Sequence, residues 1–498
     1  MNYITIKNNQ GIPLSSIPLL EYGQFLDNNT SLINEPHNHC VNYYGFSYQG
    51  QIKLFCCIAN DKVGTIYVTS TNVKAGQSLP SFTAHHLAFE KFEREIHENF
   101  EIIYTDHPWL KPVRYPFNRA DSLKTIANYP FFNIESEELH EVGVGPVHAG
   151  IIEPGHFRFI CNGEQILHLE IQLGYQHRGI EQLFLEKKKL IQRITLAESI
   201  AGDTVAGHTT AFVNLWESLC GYQPDRDLQF SRTLASELER IAVHTGDLSA
   251  LCTDVAYQLG SSVFGRLRTP IINYFQQWCG NRLAKSLIRA GYTNFPFNEQ
   301  LAEKLLITFD NYEPDFNEMC KETFSLPTAL GRFEKTGILS KSDASNIGTV
   351  GMVARTSGIN RDIRSSHPHD LYFELNQEPI IKRHGDVYSR AQIRKEEIKQ
   401  SIGYIRKLIQ NVPEENKNRP ELKKPVANMF AISLTEGWRG EICHCAITDD
   451  NGDLLHYKIK DPSFHNWLAL ALAVRNNEIS DFPICNKSFD LSYCGHDL

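Results

Sequence analysis

Leu234, Leu238, Ile241, Leu248, Cys252, Val255 and Leu259 follow one another at steps of three, four or seven, the interval that returns a side chain to the same face of an α-helix. The spacing predicts one long helix with a single apolar stripe, its polar face interrupted by His244 and Asp247. Such a helix stays folded only if other elements cover the stripe. A second stripe supplies part of that cover: Ile398, Ile402, Ile405 and Leu408 recur within GDVYSRAQIRKEEIKQSIGYIRKL. The chain is therefore expected to hold a helix-bundle core. At 498 residues it exceeds what one hydrophobic core normally supports, so more than one domain is expected around that bundle.

Strand patterns flank the helical ones. QIKLFCCIANDKVGTIYVTS alternates on both sides of a turn, HFRFICNGEQILHLEIQLG does so around Asn162-Gly163, and FAISLTEGWRGEICHCAITDDNGDLLHYKIK does so before a turn at Asp450-Asn451-Gly452. Helical spacing through Leu87, Phe92 and Ile96 follows the first of these. The fold class is α+β: a small N-terminal α+β domain over residues 1–118, a linker over 119–140 containing Pro130 and an acidic run, and a large, mainly helical domain with small flanking sheets over 141–498.

Bulk properties exclude several classes. The net charge of −9 gives no basic face for nucleic acid. WLALALAV, from Trp467 to Val474, is the longest apolar run and far too short to span a bilayer, and MNYITIKNNQG has neither the basic start nor the apolar centre of a signal peptide. A soluble subunit on the cytoplasmic side is expected, free to dock on a membrane complex. Twelve cysteines are scattered along the chain, which argues against a disulfide scaffold in that compartment. Cys443 and Cys445 should share one face of a strand, but a lone CxC lacks the second half of a metal motif. There is no Walker loop and no Rossmann fingerprint, so nucleotide phosphate and NAD are handled elsewhere if at all.

Chemistry concentrates between Gly145 and His208. GPVHAGIIEPGHFRF presents His148 after a Gly-Pro turn and places Glu153 among Ile151, Ile152 and Pro154, where desolvation would raise its pKa. ESIAGDTVAGHTTAF carries Glu198, Asp203 and His208 on what reads as a helical stretch.

These segments resemble the large catalytic subunit of membrane-bound, energy-converting nickel-iron hydrogenases, formate hydrogenlyase among them, and the related quinone-site subunit of respiratory complex I. FEREIHENFEIIYTDHPWLKP, with Glu93, Arg94, Glu95, His107, Pro108 and Leu110, resembles the signature of the smaller complex I subunit often fused ahead of it. The family's ERxCGxCxxxH appears here as ESIAGDTVAGH, and its closing DPCxSCTxR overlays the segment from Asp490. The four metal-ligand positions are then Ala201, Thr204, Ser492 and Gly495, with Cys494 one place away. The resemblance implies no nickel-iron site, since soft thiolates cannot be replaced by methyl, hydroxyl or hydrogen. The complex I turn GPxHPxxHG is also altered: His148 is kept, Ile152 or Pro154 stands at the second histidine, and the tyrosine position falls near Ala201. TEGWRGE resembles the family's E-x-P-R-G-E turn, which aims Arg439 at the active cavity.

What the resemblance implies is a peripheral-arm subunit of an ion-translocating membrane oxidoreductase. Electrons would come from an iron-sulfur cluster on a small partner subunit to a quinone or another acceptor. A ferredoxin-like subunit and antiporter-like membrane subunits are the other implied partners, and no cofactor is expected in this chain itself. Glu153, His148, Asp203, His208 and Arg439 are the candidate proton-handling and catalytic groups, and His148, Thr204 and Arg439 the candidate ligand contacts. The alternative is a non-catalytic subunit that passes protons or conformational change to the membrane arm.

Overall fold

The computed structural model of the chain describes residues 2–148 and 152–498. Four layers stack in order: two helices, a five-stranded sheet, a four-stranded sheet and a helix bundle.

The first sheet runs Ile4–Ile6, Thr65–Val73, Gln51–Asn60 and Asn38–Tyr48, all antiparallel, with Leu19–Leu20 added in parallel beside Thr65–Val73. The expected hairpin is present, Asn60 facing Thr65 across its turn. One face of the sheet packs Tyr43, Leu54, Cys56 and Ile58 against Phe25 and Leu32 of the helix Tyr22–Ile33 and Phe92 and Ile96 of the helix Glu90–Phe100. Its other face, with Tyr44, Phe55, Cys57 and Val68, is covered by the second sheet.

That second sheet is Leu454–Lys460, Glu441–Thr448, Met429–Glu436 and, from the far N-terminus, Ile12–Pro13. Its strands are buried on both faces, and alternation sorts their side chains. Phe430, Ile432, Leu434, Cys443, Cys445 and Ile447 face the first sheet, whereas Ala431 and Ala446 face the bundle. The two thiols of the CxC do share a face, 3.7 Å apart and fully buried.

The bundle is built from the helices Val205–Leu219, Arg226–Asp254, Gln258–Cys279, Glu299–Thr323 and Val387–Ile409. Its central member is shorter than the apolar stripe predicts. It ends at Asp254, the chain turns through Ala256 at positive φ, and Leu259 lies exposed on the next helix, which packs back along the first. The stripe's last step, to Leu259, is therefore a coincidence of spacing and not a shared buried face. The second stripe, Ile398 to Leu408, is buried as expected.

A three-stranded sheet, His140–Val144, His156–Asn162 and Gln165–Gln172, packs with the helix Ser463–Ala473 and the C-terminal turn. The segment before it has one short helical turn, Ile126–Asn128, and is tied to the sheet: Gln172 donates to the Ile126 carbonyl at 2.6 Å and Glu170 accepts from the Phe132 amide at 2.9 Å. No described helix is long and apolar enough to cross a membrane.

Candidate functional site

Gly437, Trp438, Arg439 and Gly440 close the turn between the two central strands of the second sheet, with paired backbone bonds between Gly437 and Gly440 of 2.9 and 3.0 Å. Gly351 presses on this turn. At φ +64 a Cβ there would stand 2.2 Å from both the Arg439 carbonyl oxygen and Gly440 Cα, so only glycine fits. Held in this way, the Trp438 indole donates to the Asp203 carbonyl at 2.9 Å, and the Arg439 guanidinium lies 3.9 Å over the Trp438 ring.

Arg439 grips Asp203 with two parallel bonds of 2.7 Å, Nη1 to Oδ1 and Nη2 to Oδ2. Nη1 also donates to Thr204 Oγ1 at 3.2 Å, and Nε donates to the Asp490 carbonyl. Arg439 is only 5% exposed, whereas the Asp203 side chain is 40% exposed, so this carboxylate forms the wet edge of the site.

Two further acids stand behind the pair. Glu239, on the central helix, accepts from the Ala206 and Gly207 amides at 2.7 and 3.2 Å and so caps the helix Val205–Leu219. Burial raises it to about 8, against the pull of those amides, and Asp203 adds to the rise. Asp490, at the start of the C-terminal turn, is pushed up to about 7 by burial and by its neighbour Asp247, while Arg439 opposes the rise. Both therefore hold protons at or near neutral pH. Sequence reasoning missed them: Glu239 reads as an ordinary polar-face residue of ELERIAVH, and Asp490 as the first residue of the overlaid ending. Asp247, the one signal, pairs with Arg394 at 2.8 Å, and its neighbour His244 meets Glu397 at 2.9 Å.

The four positions matched to metal ligands are brought together. Arg178 ties them, its Nη2 donating to the Ile200 carbonyl at 2.8 Å and the Cys494 carbonyl at 3.1 Å. Asp203 and Thr204 lie on the turn between the helices Leu190–Ala197 and Val205–Leu219, not within a helix, and Glu198 points away to Arg289 at 2.7 Å. The Thr204 hydroxyl is committed to Asp203 and Arg439. Ser492 Oγ accepts from the Gly495 amide at 2.9 Å. A Cβ on Gly495 would stand 2.7 Å from Asp461 Oδ2, so an acid fills the space a thiol would need. Ala201 offers only a methyl. This donor set does not fit nickel and iron. Cys494, half-buried, places its sulfur 3.4 Å from Ser492 Oγ and its amide 3.2 Å from Glu153 Oε2, and burial pushes its thiol up to about 11.

Glu153 differs from expectation. It is half-buried rather than enclosed, because the 152–155 segment runs over the C-terminal turn instead of into the core. Ile151 lies outside the described residues. His148 is also half-buried, its Nδ1 3.3 Å from its own Pro146 carbonyl and its ring edge-on to Phe157. His208 does not open into the same space. It is fully buried one turn into its helix, with Nε2 3.0 Å from Asp461 and Nδ1 3.1 Å from His444, which in turn meets the Tyr457 hydroxyl at 2.7 Å. Burial and His208 hold His444 well below its usual range, so that ring is neutral. Burial would raise Asp461, but the hydrogen bond and charge of His208, with Arg439, keep it low. The candidates thus fall into separate groups: the Asp203–Arg439 pair, Glu153 on the Cys494 amide, His148 against Phe157, and His208 in a buried row from Asp461 to Tyr457.

Arg439, borne on this turn, thus links the Asp203 carboxylate to the closing segment at Asp490. The chain carries a complex I 49 kDa-like domain: residues 260–429 match the family "Respiratory-chain NADH dehydrogenase, 49 Kd subunit". It is 28% identical to the carbon monoxide-induced hydrogenase of Rhodospirillum rubrum, across 70% of this chain and 97% of that one. It is 25% identical to hydrogenase-4 component G of Escherichia coli K12, across 92% and 80%. It is 26% identical to the C/D component of the NADH-quinone oxidoreductase of Phocaeicola vulgatus, across 86% and 89%.

Proposed function

We propose that this chain is the peripheral-arm subunit of a membrane-bound oxidoreductase that passes electrons from a partner's iron-sulfur cluster to a quinone or similar acceptor, without a nickel-iron centre. The supporting observation is the site itself: Ala201, Thr204, Ser492 and Gly495 offer no thiolate, and the Asp203–Arg439 pair lies beside Thr204, backed by Glu239 and Asp490. Reducing a quinone to a quinol takes two electrons and two protons. The iron-sulfur partner supplies the electrons, and Glu239 and Asp490, which hold protons near neutral pH, supply the protons by way of the wet Asp203 edge. Arg439 orients Asp203 and offers its fork to an acceptor oxygen when the pair opens.

A second reading rests on the same acids: they hold protons near neutral pH whether or not an acceptor binds, which suits a subunit that only couples. The test uses the whole complex, gently solubilised. Stoichiometric nickel with hydrogen-dependent dye reduction would sink the metal-free reading. In its absence, Asp203→Asn and Glu153→Gln should each cut quinone reduction at least tenfold. Electron transfer that survives while ion translocation is lost selects the coupling role.

A further inference from the structure

Away from this site, a cavity of about 190 Å³ opens between the helix Glu90–Phe100, the strand Gln165–Gln172 and the helix Ser463–Ala473. Its walls are apolar and aromatic: Trp109, Tyr129, Leu169, Leu173, Trp467 and Ala471. The volume exceeds the roughly 150 Å³ of an apolar cavity that takes up benzene, so one ring with a short side chain fits.

The charges lining it do not balance. Glu90 is paired with Arg94 and also accepts from the Trp109 indole at 2.6 Å, and Glu170 is paired with Lys111 at 2.5 Å. Lys91 has no such partner. Among the described residues its ammonium makes no ion pair, and its one hydrogen bond is to His496 Nε2 at 3.2 Å. His496 is held well below its usual range by burial and by Lys91, Arg114 and Arg94, and its Nδ1 lies 2.7 Å from Asp497, which leaves Nε2 to accept. Lys91 thus keeps two N–H donors unused in an apolar chamber. Arg475 adds a second cation at the exposed mouth. A half-buried cation in an apolar chamber with no direct ion pair is costly unless something else supplies the charge. Burial accordingly lowers Lys91 to about 7, despite the attraction of Glu90.

We propose that this cavity binds a small monocarboxylate with an aryl or short alkyl body, its carboxylate on Lys91 and its body between Trp109 and Trp467. One ammonium calls for one negative charge, and the walls call for a body without polar groups. The site is separate from the Asp203–Arg439 pair and holds whichever function that pair has.

The test titrates the full-length chain with 3-phenylpropionate and with 3-phenylpropan-1-ol, reading tryptophan fluorescence and heat. The acid should bind at least tenfold tighter than the alcohol. Lys91→Met, which keeps the apolar stem, should abolish that preference while leaving alcohol binding in place, and Ala471→Phe should fill the chamber and abolish both. Equal affinity for acid and alcohol, no binding of the acid at millimolar concentration, or acid binding unchanged in Ala471→Phe would each overturn the proposal. The first comparison uses the unaltered chain, so it stands even if a variant does not fold.

Discussion

Arg439 and Asp203 meet through a planar fork, and a lysine ammonium cannot reproduce two parallel bonds from one plane stacked on Trp438. Arg439→Lys should therefore lower stability by about 1–2 kcal/mol in urea unfolding, the partial exposure of Asp203 keeping the loss at that size. Glu239 has the opposite character, an acid that burial keeps protonated. Its folded value of about 8 lies above the ordinary 4.5, so the folded state holds the proton more tightly than the unfolded chain does. Its contribution is fully present below about 4.5 and is lost as pH rises towards about 8. Glu239→Gln should flatten that decline, and infrared titration should lose a carboxyl signal near pH 8. If the signal persists in the variant, Glu239 is not its source.

Among elements, the turn Gly437–Gly440 depends on its neighbour more than on its own strands. Gly351→Ala forces a methyl onto the backbone of Arg439 and Gly440, and should cost about 3 kcal/mol or prevent soluble expression. Gly403 provides a contrast: it lies exposed within the helix Val387–Ile409 with nothing near its missing Cβ, so Gly403→Ala should raise stability by about 0.5–1 kcal/mol. Thermal unfolding of the two variants side by side checks both. The elements themselves were the most legible part of the sequence, since hairpins and stripes are local periods. Legibility failed where a period ran through a turn, as at Val255 to Leu259, and where an acid on a helix faced inward. Glu239 carries no local mark of burial, because its environment comes from the first turn of the helix Val205–Leu219, more than thirty residues earlier.

For the whole molecule, the sandwich of two sheets could not be read at all. His39 of the first sheet meets Glu441 of the second at 2.6 Å across 402 residues of chain, and it also faces Asp61 at 3.2 Å, which Arg361 holds from outside. No pattern in composition spans such a separation. The ion cluster makes the seam pH-sensitive on both sides. Burial would raise Asp61, but His39 and Arg361 hold it at about 2, and Glu441 is likewise held low by Lys460 and His39, so their contributions fade as pH falls below the usual carboxylate range. Burial and Arg361 would lower His39, but Asp61 and Glu441 raise it above 6.5; its contribution is full below that value and is lost as pH rises past the folded one. Urea midpoints should therefore drop as pH rises above about 6.5, and His39→Gln should remove part of that slope.

The seam has a consequence for how the protein is made. The first sheet is complete by Val73, but the strand that covers its second face begins at Met429, about 350 residues later. At roughly 5–20 residues per second of synthesis, a face carrying Tyr44, Phe55 and Val68 waits on the order of 20–70 seconds for its cover. A nascent chain stalled before Met429 should be the species that molecular chaperones hold.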